Sequence, residues 1–283
     1  MNLITFYKIY YRHRLQKASI ILKIYLIIII PLRYAINFFY WGKAINLDEF
    51  ANKKKHLYLK DLNYLFEYFN SDKGDFFIDQ YVQPFKRSKN KKKAHGYSKI
   101  YERYFRVFKK KKINILEIGS FYGNASAAMF FYFKNSNIYG ADINPDMFRY
   151  KSSRVNNFYV NSQSKASIND NILNKGIKFN LIIEDASHML KDQIISLFML
   201  FRILEPGGIF IIEELDFPET REDMRLNMSQ PDLKKILIAI SKNQDFKSEY
   251  ILEEEKEYFL KNIESIKFHK GNFNEIAILK KLA

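Results

Sequence analysis

The stretch that most constrains this chain is Ile113-Asn-Ile-Leu-Glu-Ile-Gly-Ser-Phe-Tyr-Gly-Asn124. A short apolar run ends in Glu117, Gly119 and Gly123, and the small residues Ala125, Ser126, Ala127 and Ala128 follow as a helix start. Strand, glycine turn, helix is the order in which an α/β fold makes a nucleotide-sized pocket at the carboxyl end of a parallel strand. Gly119 and Gly123 let the backbone approach a ligand where a Cβ would clash. An ordinary βα turn looks the same, so the rest of the chain has to decide.

The βα alternation continues from there. Asn137-Ile-Tyr-Gly-Ala-Asp142 reads as a second strand, residues 156–160 as a third and Phe179-Asn-Leu-Ile-Ile-Glu-Asp185 as a fourth. A helix over residues 191–204 follows, then a turn, Glu205-Pro-Gly-Gly208, and a fifth strand, Ile209-Phe-Ile-Ile-Glu-Glu214. Residues 263–269 and 275–280 read as an antiparallel hairpin. Continuous apolar runs such as residues 209–212 imply strands buried on both faces. The expected architecture is a Rossmann-like, doubly wound seven-stranded sheet with an antiparallel C-terminal hairpin, over residues 113–283.

Two segments precede it. Residues 51–112 read as a helical lead-in, with helices at 57–69 and 98–108, the segments Ser71-Asp-Lys-Gly74 and His95-Gly-Tyr97, and a solvated lysine loop at 86–93. Residues 1–50 form a basic, apolar and aromatic arm. Its apolar run from Ser19 is stopped by Pro31 and resumes to Trp41. A membrane span needs about 20 uninterrupted apolar residues, and Lys23, Pro31 and Arg33 interrupt this one. A membrane-surface helix is preferred over packing on the body or a true span, with Lys and Arg snorkelling and Tyr and Trp at the interface. Residues 1–112 hold 25 Lys and Arg against 8 acids, and the remainder holds 21 against 23. The net charge of +15 therefore belongs to the N-terminal part, which suits an anionic surface. With no cysteine, disulfides and thiolate metal sites are excluded.

Asp142 lies 23 residues beyond Gly119, where an acid can accept hydrogen bonds from ribose hydroxyls. That spacing serves both NAD and S-adenosylmethionine (SAM). The dinucleotide turn needs G-x-G-x-x-G, whereas Ser120 and Phe121 follow Gly119 here, and Glu117 suits the cationic methionine end of SAM. Gln163, after the third strand, stands where an adenine edge would lie. Asp185 and His188 end the fourth strand, and Glu213 and Glu214 end the fifth. Carboxylates gathered at one sheet edge repel unless a cation holds them, and oxygen ligands select Mg²⁺ or Mn²⁺. His188 is then the nearby general base. Singly, these residues read as solvated or capping groups; their shared position at strand ends is what argues for a site. His13, His56 and His269 read as surface or packing residues.

With these stretches in view, the chain resembles class I SAM-dependent methyltransferases, and within them the metal-dependent sugar O-methyltransferases of the macrocin and mycinamicin type. The resemblance runs from about Ser71 onward, through Leu116-Glu-Ile-Gly119, Tyr139-Gly-Ala-Asp142, Asp185-Ala-Ser-His188 and Leu204 to Glu214. It implies a metal on Asp185, Glu213 and Glu214, His188 as catalytic base, and SAM on Glu117, Gly119, Ser120, Gly123, Asp142, Gln163 and Asp185. Lys73, His95 and Tyr97 would close over the donor or acceptor pocket. Departures are Glu184 and Ala186 where the family has Asp and Gly, Glu214 where Asp is usual, and Ser162 for an expected Asp. It implies a small-molecule or glycan acceptor; residues 1–45, outside the resemblance, are expected from their charge and apolar content to meet a membrane surface on its cytoplasmic side. Rival readings are a nucleic-acid methyltransferase and a non-catalytic SAM-binding protein. The first is disfavoured because Asp185-Ala-Ser-His188 occupies the place of an Asn/Asp-Pro-Pro-aromatic loop.

Overall fold

The computed structural model describes residues 19–41, 43–78, 90–225 and 230–283. His13, the start of the arm and residues 86–89 of the lysine loop lie outside them. Seven strands form the main sheet: β1 Asn114–Ile118, β2 Asn137–Asp142, β3 Val155–Tyr159, β4 Phe179–Glu184, β5 Leu204–Ile212, β6 Ile263–Lys270 and β7 Glu275–Lys281. Their order is β6-β7-β5-β4-β1-β2-β3. β1 to β5 run parallel, and β7 enters antiparallel between β5 and β6. The expected doubly wound sheet with its hairpin is what forms. Chain order reverses between β1 and β4, so the cleft opens at their carboxyl ends, as the switch-point rule requires.

The helices are α1 Ile20–Trp41, α2 Leu47–Lys53, α3 Leu62–Tyr68, α4 Ser98–Phe105, α5 Asn124–Tyr132, α6 Lys165–Asn171, α7 Leu190–Leu200, α8 Phe217–Thr220, α9 Leu233–Ser241 and α10 Glu253–Asn262. Strand alternation sends Ile115, Ile183, Ile209 and Ile211 into one core, with Phe66 of α3, Tyr101 of α4 and Phe130 of α5. Leu116, Ile182, Phe210 and Ile212 enter the other, with Ile168 of α6, Phe198 of α7 and Phe259 of α10. Each such side chain contributes about 1.5–3 kcal/mol when fully buried, so the sheet is held from both faces.

Three local expectations change. The helix expected over 57–69 breaks at Lys60, because the Asp61 carboxylate accepts the Tyr64 amide and caps a new helix, α3. Residues 205–208 do not precede the fifth strand but loop out within it: Phe179 sits opposite Leu204 and Leu181 opposite Ile209. Pro31 does not stop the arm, since α1 runs through it. A proline inside a helix removes one hydrogen bond without ending it when helical residues continue on both sides. Among the described residues no helix is long and apolar enough to cross a membrane.

The turn after β1 fixes where the site lies. Gly119 has φ +86°, and a Cβ there would fall on the Asp185 carbonyl. Gly123 has φ +78°, and a Cβ there would lie 2.6 Å from the Phe148 ring. Gly119→Ala should cost at least about 2 kcal/mol in denaturant unfolding, because left-handed strain and a backbone clash act together.

Candidate active site

The strand ends continue their ladders by one bond each and so aim successive side chains into the cleft. The Asp185 amide donates to the Ile118 carbonyl (2.9 Å), the Glu213 amide to the Glu184 carbonyl (3.0 Å) and the Gly119 amide to the Ala141 carbonyl (2.8 Å). A cavity of about 250 Å³ opens there. Its lining includes Lys73, Glu117, Gly119, Ser120, Asp142, Asn144, Asp185 and His188.

The donor half is built on the glycine turn. Glu117 is buried and accepts the Ser126 hydroxyl at 2.6 Å. Burial pushes its carboxyl up to about 7, against the pull of Lys73 and Ser126. Asp142 accepts the amides of Phe121 (2.9 Å) and Asn144 (2.6 Å), which fixes its carboxylate at the cavity wall. The Ser120 hydroxyl is buried without a hydrogen-bond partner among the described residues, as a group awaiting a ligand would be. Gln163 is not brought to this wall. It is exposed, with its amide nitrogen 3.9 Å from the Met189 sulfur, because Asn161 caps the turn by accepting the Gln163 backbone amide.

In the acidic half, Lys73 lines the cavity with its ammonium buried among the carboxylates. It donates to Asp185 and, at 2.7 Å, to Glu213, and lies 3.9 Å from Glu117. Burial opposes its charge, yet Asp185 and Glu213 outweigh it and hold Lys73 well above its ordinary value. Two segments twenty residues apart deliver this lysine. His95 and Tyr97 donate their amides to the carbonyls of Asp72 (2.8 Å) and Lys73 (2.9 Å). Tyr101, one helical turn beyond Tyr97, adds its hydroxyl to Glu213. Sequence reasoning passed over Tyr101; the signal was the four-residue spacing of Tyr97, Tyr101 and Phe105 on one face of α4.

Glu213 is thus held by Lys73 and Tyr101, while Asp185, His188 and Glu214 offer ligand atoms within 4.8 Å of one another. His188 Nδ1 is 3.5 Å from Glu214 Oε2, and His188 Nε2 is 3.7 Å from Asp185 Oδ1. His95 Nδ1 is 3.3 Å from Glu214 Oε1, and the Tyr97 hydroxyl donates to the same oxygen at 3.4 Å. His95 Nδ1, His188 Nδ1 and Glu214 Oε2 are buried without an aligned hydrogen bond despite these short separations. Such convergent, unsatisfied donors fit a divalent cation.

Protonation agrees with that fit. Burial resists ionisation of Asp185, but the Lys73 ammonium holds its carboxyl below the usual range. Burial and the Asp185 charge push Glu213 up to about 8 and raise Glu214. The cluster carries protons that a metal would displace. Glu184, also pushed up to about 8 by burial and Asp185, lies buried behind it. His188 and Glu214 have φ +57° and +46°, strained backbone of the kind found at functional sites. Gln193 of α7 supports this bend by donating to the Glu213 (3.2 Å) and Glu214 (3.3 Å) carbonyls.

Lys73→Met leaves Asp185 and Glu213 uncompensated and should cost about 3–5 kcal/mol in denaturant unfolding. Adding Glu213→Gln should restore part of that, and a strictly additive double mutant would sink the pairing.

Comparison with known proteins agrees with the geometry. The model of a methyltransferase domain matches residues 109–257, more than half of the 283-residue chain. The 8-demethyl-8-alpha-L-rhamnosyl tetracenomycin-C 2'-O-methyltransferase of Streptomyces olivaceus is 29% identical over 128 residues, 43% of this chain and 33% of the relative. The mycinamicin VI 2''-O-methyltransferase of Micromonospora griseorubida is 29% identical over 128 residues, 43% of this chain and 32% of the relative. The chain thus spans about a third of the length of the curated relatives it matches. Among solved structures, MycE of the mycinamycin biosynthetic pathway, in complex with Mg, SAH and mycinamycin VI, has a TM-score of 0.56 at 19% identity, covering 79% of this chain and 55% of that one. At that identity the likeness is one of fold. The strand order, the glycine turn and the matched domain have one conclusion: this chain belongs to the methyltransferase-domain family.

Proposed function

We propose that this protein transfers a methyl group from SAM to a hydroxyl on the sugar of a glycan, glycolipid or glycosylated metabolite. The observation that carries this reading is the meeting, in one cavity, of the Glu117–Asp142 donor wall with Asp185 and His188. The relatives named above methylate hydroxyls of glycosylated compounds according to their names, which supports the acceptor class.

When bound, SAM would supply an electrophilic methyl group, and Mg²⁺ or Mn²⁺ would lower the pKa of the acceptor hydroxyl. Asp185, Glu214 and the adjoining Glu213 are the oxygen donors suited to such an ion. Glu117 would meet the cationic end of the donor, Ser120 would offer its hydroxyl, and Asp142 would accept from ribose hydroxyls. His188 acts as the base: its buried ring is held below the ordinary imidazole value, burial outweighing the attraction of Asp185, so it is neutral and has a lone pair free at neutral pH. Lys73 and Tyr101 keep Asp185 and Glu213 oriented, and His95 and Tyr97 do the same for Glu214. The chain's task is alignment and deprotonation, since the sulfonium already activates the methyl group.

Residues 1–45 are proposed to rest on an anionic membrane surface, with the catalytic domain in the cytoplasm. Residues 1–43 contain seven Lys and Arg and no acid. On α1, Ile21, Ile24, Ile28 and Phe39 are exposed. Basic charge beside an exposed apolar helix suits anionic lipid.

His188→Ala should lose turnover by at least about 100-fold, the usual scale of general-base loss, while calorimetric binding of S-adenosylhomocysteine is kept. Unchanged turnover on a glycan acceptor removes His188 from the mechanism, and full activity in EDTA removes the metal. Co-sedimentation with phosphatidylglycerol vesicles should require residues 1–45; equal pelleting of a protein lacking them refutes the surface reading.

A further inference from the structure

We propose that Arg33 on α1 is a positioning residue for the donor pocket, latching the arm to the loop of residues 143–147 that forms one of its walls. The inference rests on reading that pocket as the donor site. Arg33 Nη2 donates to Asn144 Oδ1 at 2.8 Å, and its Nε donates to Asp146 Oδ2 at 3.3 Å. The Arg33 side chain is 32% exposed and that of Asp146 only 2%, so the guanidinium closes over a carboxylate otherwise withdrawn from water.

The loop it grips is part of the site. Ile143 and Asn144 line the cavity beside Asp142. From inside, the Asn144 amide donates to Asp142 Oδ1 at 2.6 Å, and Asp142 Oδ2 accepts the Phe121 amide at 2.9 Å. Asn157 of β3 fixes the same loop by donating to the Pro145 carbonyl at 2.6 Å. A short series of contacts therefore runs from α1 through Arg33, Asn144 and Asp142 to the glycine turn. Phe121 itself is bent to φ +43°, so the turn depends on support from its surroundings.

The rest of α1 gives Arg33 this importance. Ile21 is 81% exposed, Ile28 59% and Phe39 90%, while Ile30 is buried at 2%. Apolar packing thus accounts for little of the described helix, and the polar fork is what ties it to the pocket wall. A guanidinium reaches both partners in one plane; an ammonium is a single point charge and serves them less well. Whatever displaces α1 along a surface acts on the donor wall through this fork, and donor binding acts back on the helix by the same coupling.

The test is calorimetry of S-adenosylhomocysteine with the full chain and its variants. Arg33→Ala and Asp146→Asn should each weaken binding about 5- to 10-fold, at the lower end of typical coupling between sites. The double variant should be little worse than Arg33→Ala alone, which already removes the Asp146 contact. Arg33→Lys should recover only part of the affinity. Hydrogen exchange should quicken in Arg33→Ala at residue 121 and residues 142–147, with the amides of β4 and β5 unchanged, a pattern that general destabilisation would not give. Affinities within twofold of the unmodified protein overturn the latch while leaving the donor site standing. If the unmodified protein binds no S-adenosylhomocysteine, the donor reading falls and the latch with it.

Discussion

Several carboxylates cannot share a buried cleft without a cation, and in this molecule the cation is the chain's own. The Lys73 ammonium, paired with Asp185 and Glu213 and near Glu117, joins the donor turn to the acidic cluster. Its presence explains features that otherwise look unrelated. The segment around Lys73 is bonded to the segment around His95 because both must reach the same point. α4 stands where it does so that Tyr101 can complete Glu213. Removing one partner of such a group is costly because a buried charge is left behind. The cluster is thus a costly part of the fold, and the part that the proposed chemistry would use.

The sheet was legible because its strands are apolar on both faces and end in residues of another kind. β1, β2 and β4 each finish at an acid or a glycine, and periodicity locates such ends to within a residue or two. Glu117, Gly119 and Asp142, which line one cavity, were legible for the same reason. Lys73 was not. Nothing local separates a lysine in Ser71-Asp-Lys-Gly74 from a solvated one, since its burial is decided by β4 and β5 more than a hundred residues away. The loop at 205–208 was read as a turn between helix and strand because its glycines and proline signal a turn wherever they fall; only pairing with β4 reveals that the strand resumes on both sides. Pro31 misled by a rule that holds for helix interiors in general.

The two halves of the cavity differ in how they are made rigid. The donor wall relies on backbone: amides of Phe121 and Asn144 hold Asp142, and glycine conformations set the turn. The acidic wall relies on side chains, with Lys73, Tyr101, His95 and Tyr97 each holding a carboxylate. Asp185 belongs to both walls, because its carbonyl faces Gly119 and its carboxylate meets Lys73.

The insertion of β7 between β5 and β6 sets the order in which the molecule can be built. Leu215 donates its amide to the Glu275 carbonyl, and the Glu275 amide donates to Asp216, so the backbone just after Glu214 is pinned by the start of β7. Asn272, in the hairpin bend, likewise ties down the carbonyls of Ala94 and His95. On a ribosome, β1 to β5 emerge long before residues 263–281, and until then β5 has a bare edge. The backbone beside Glu214 is therefore pinned only once the hairpin has joined that edge.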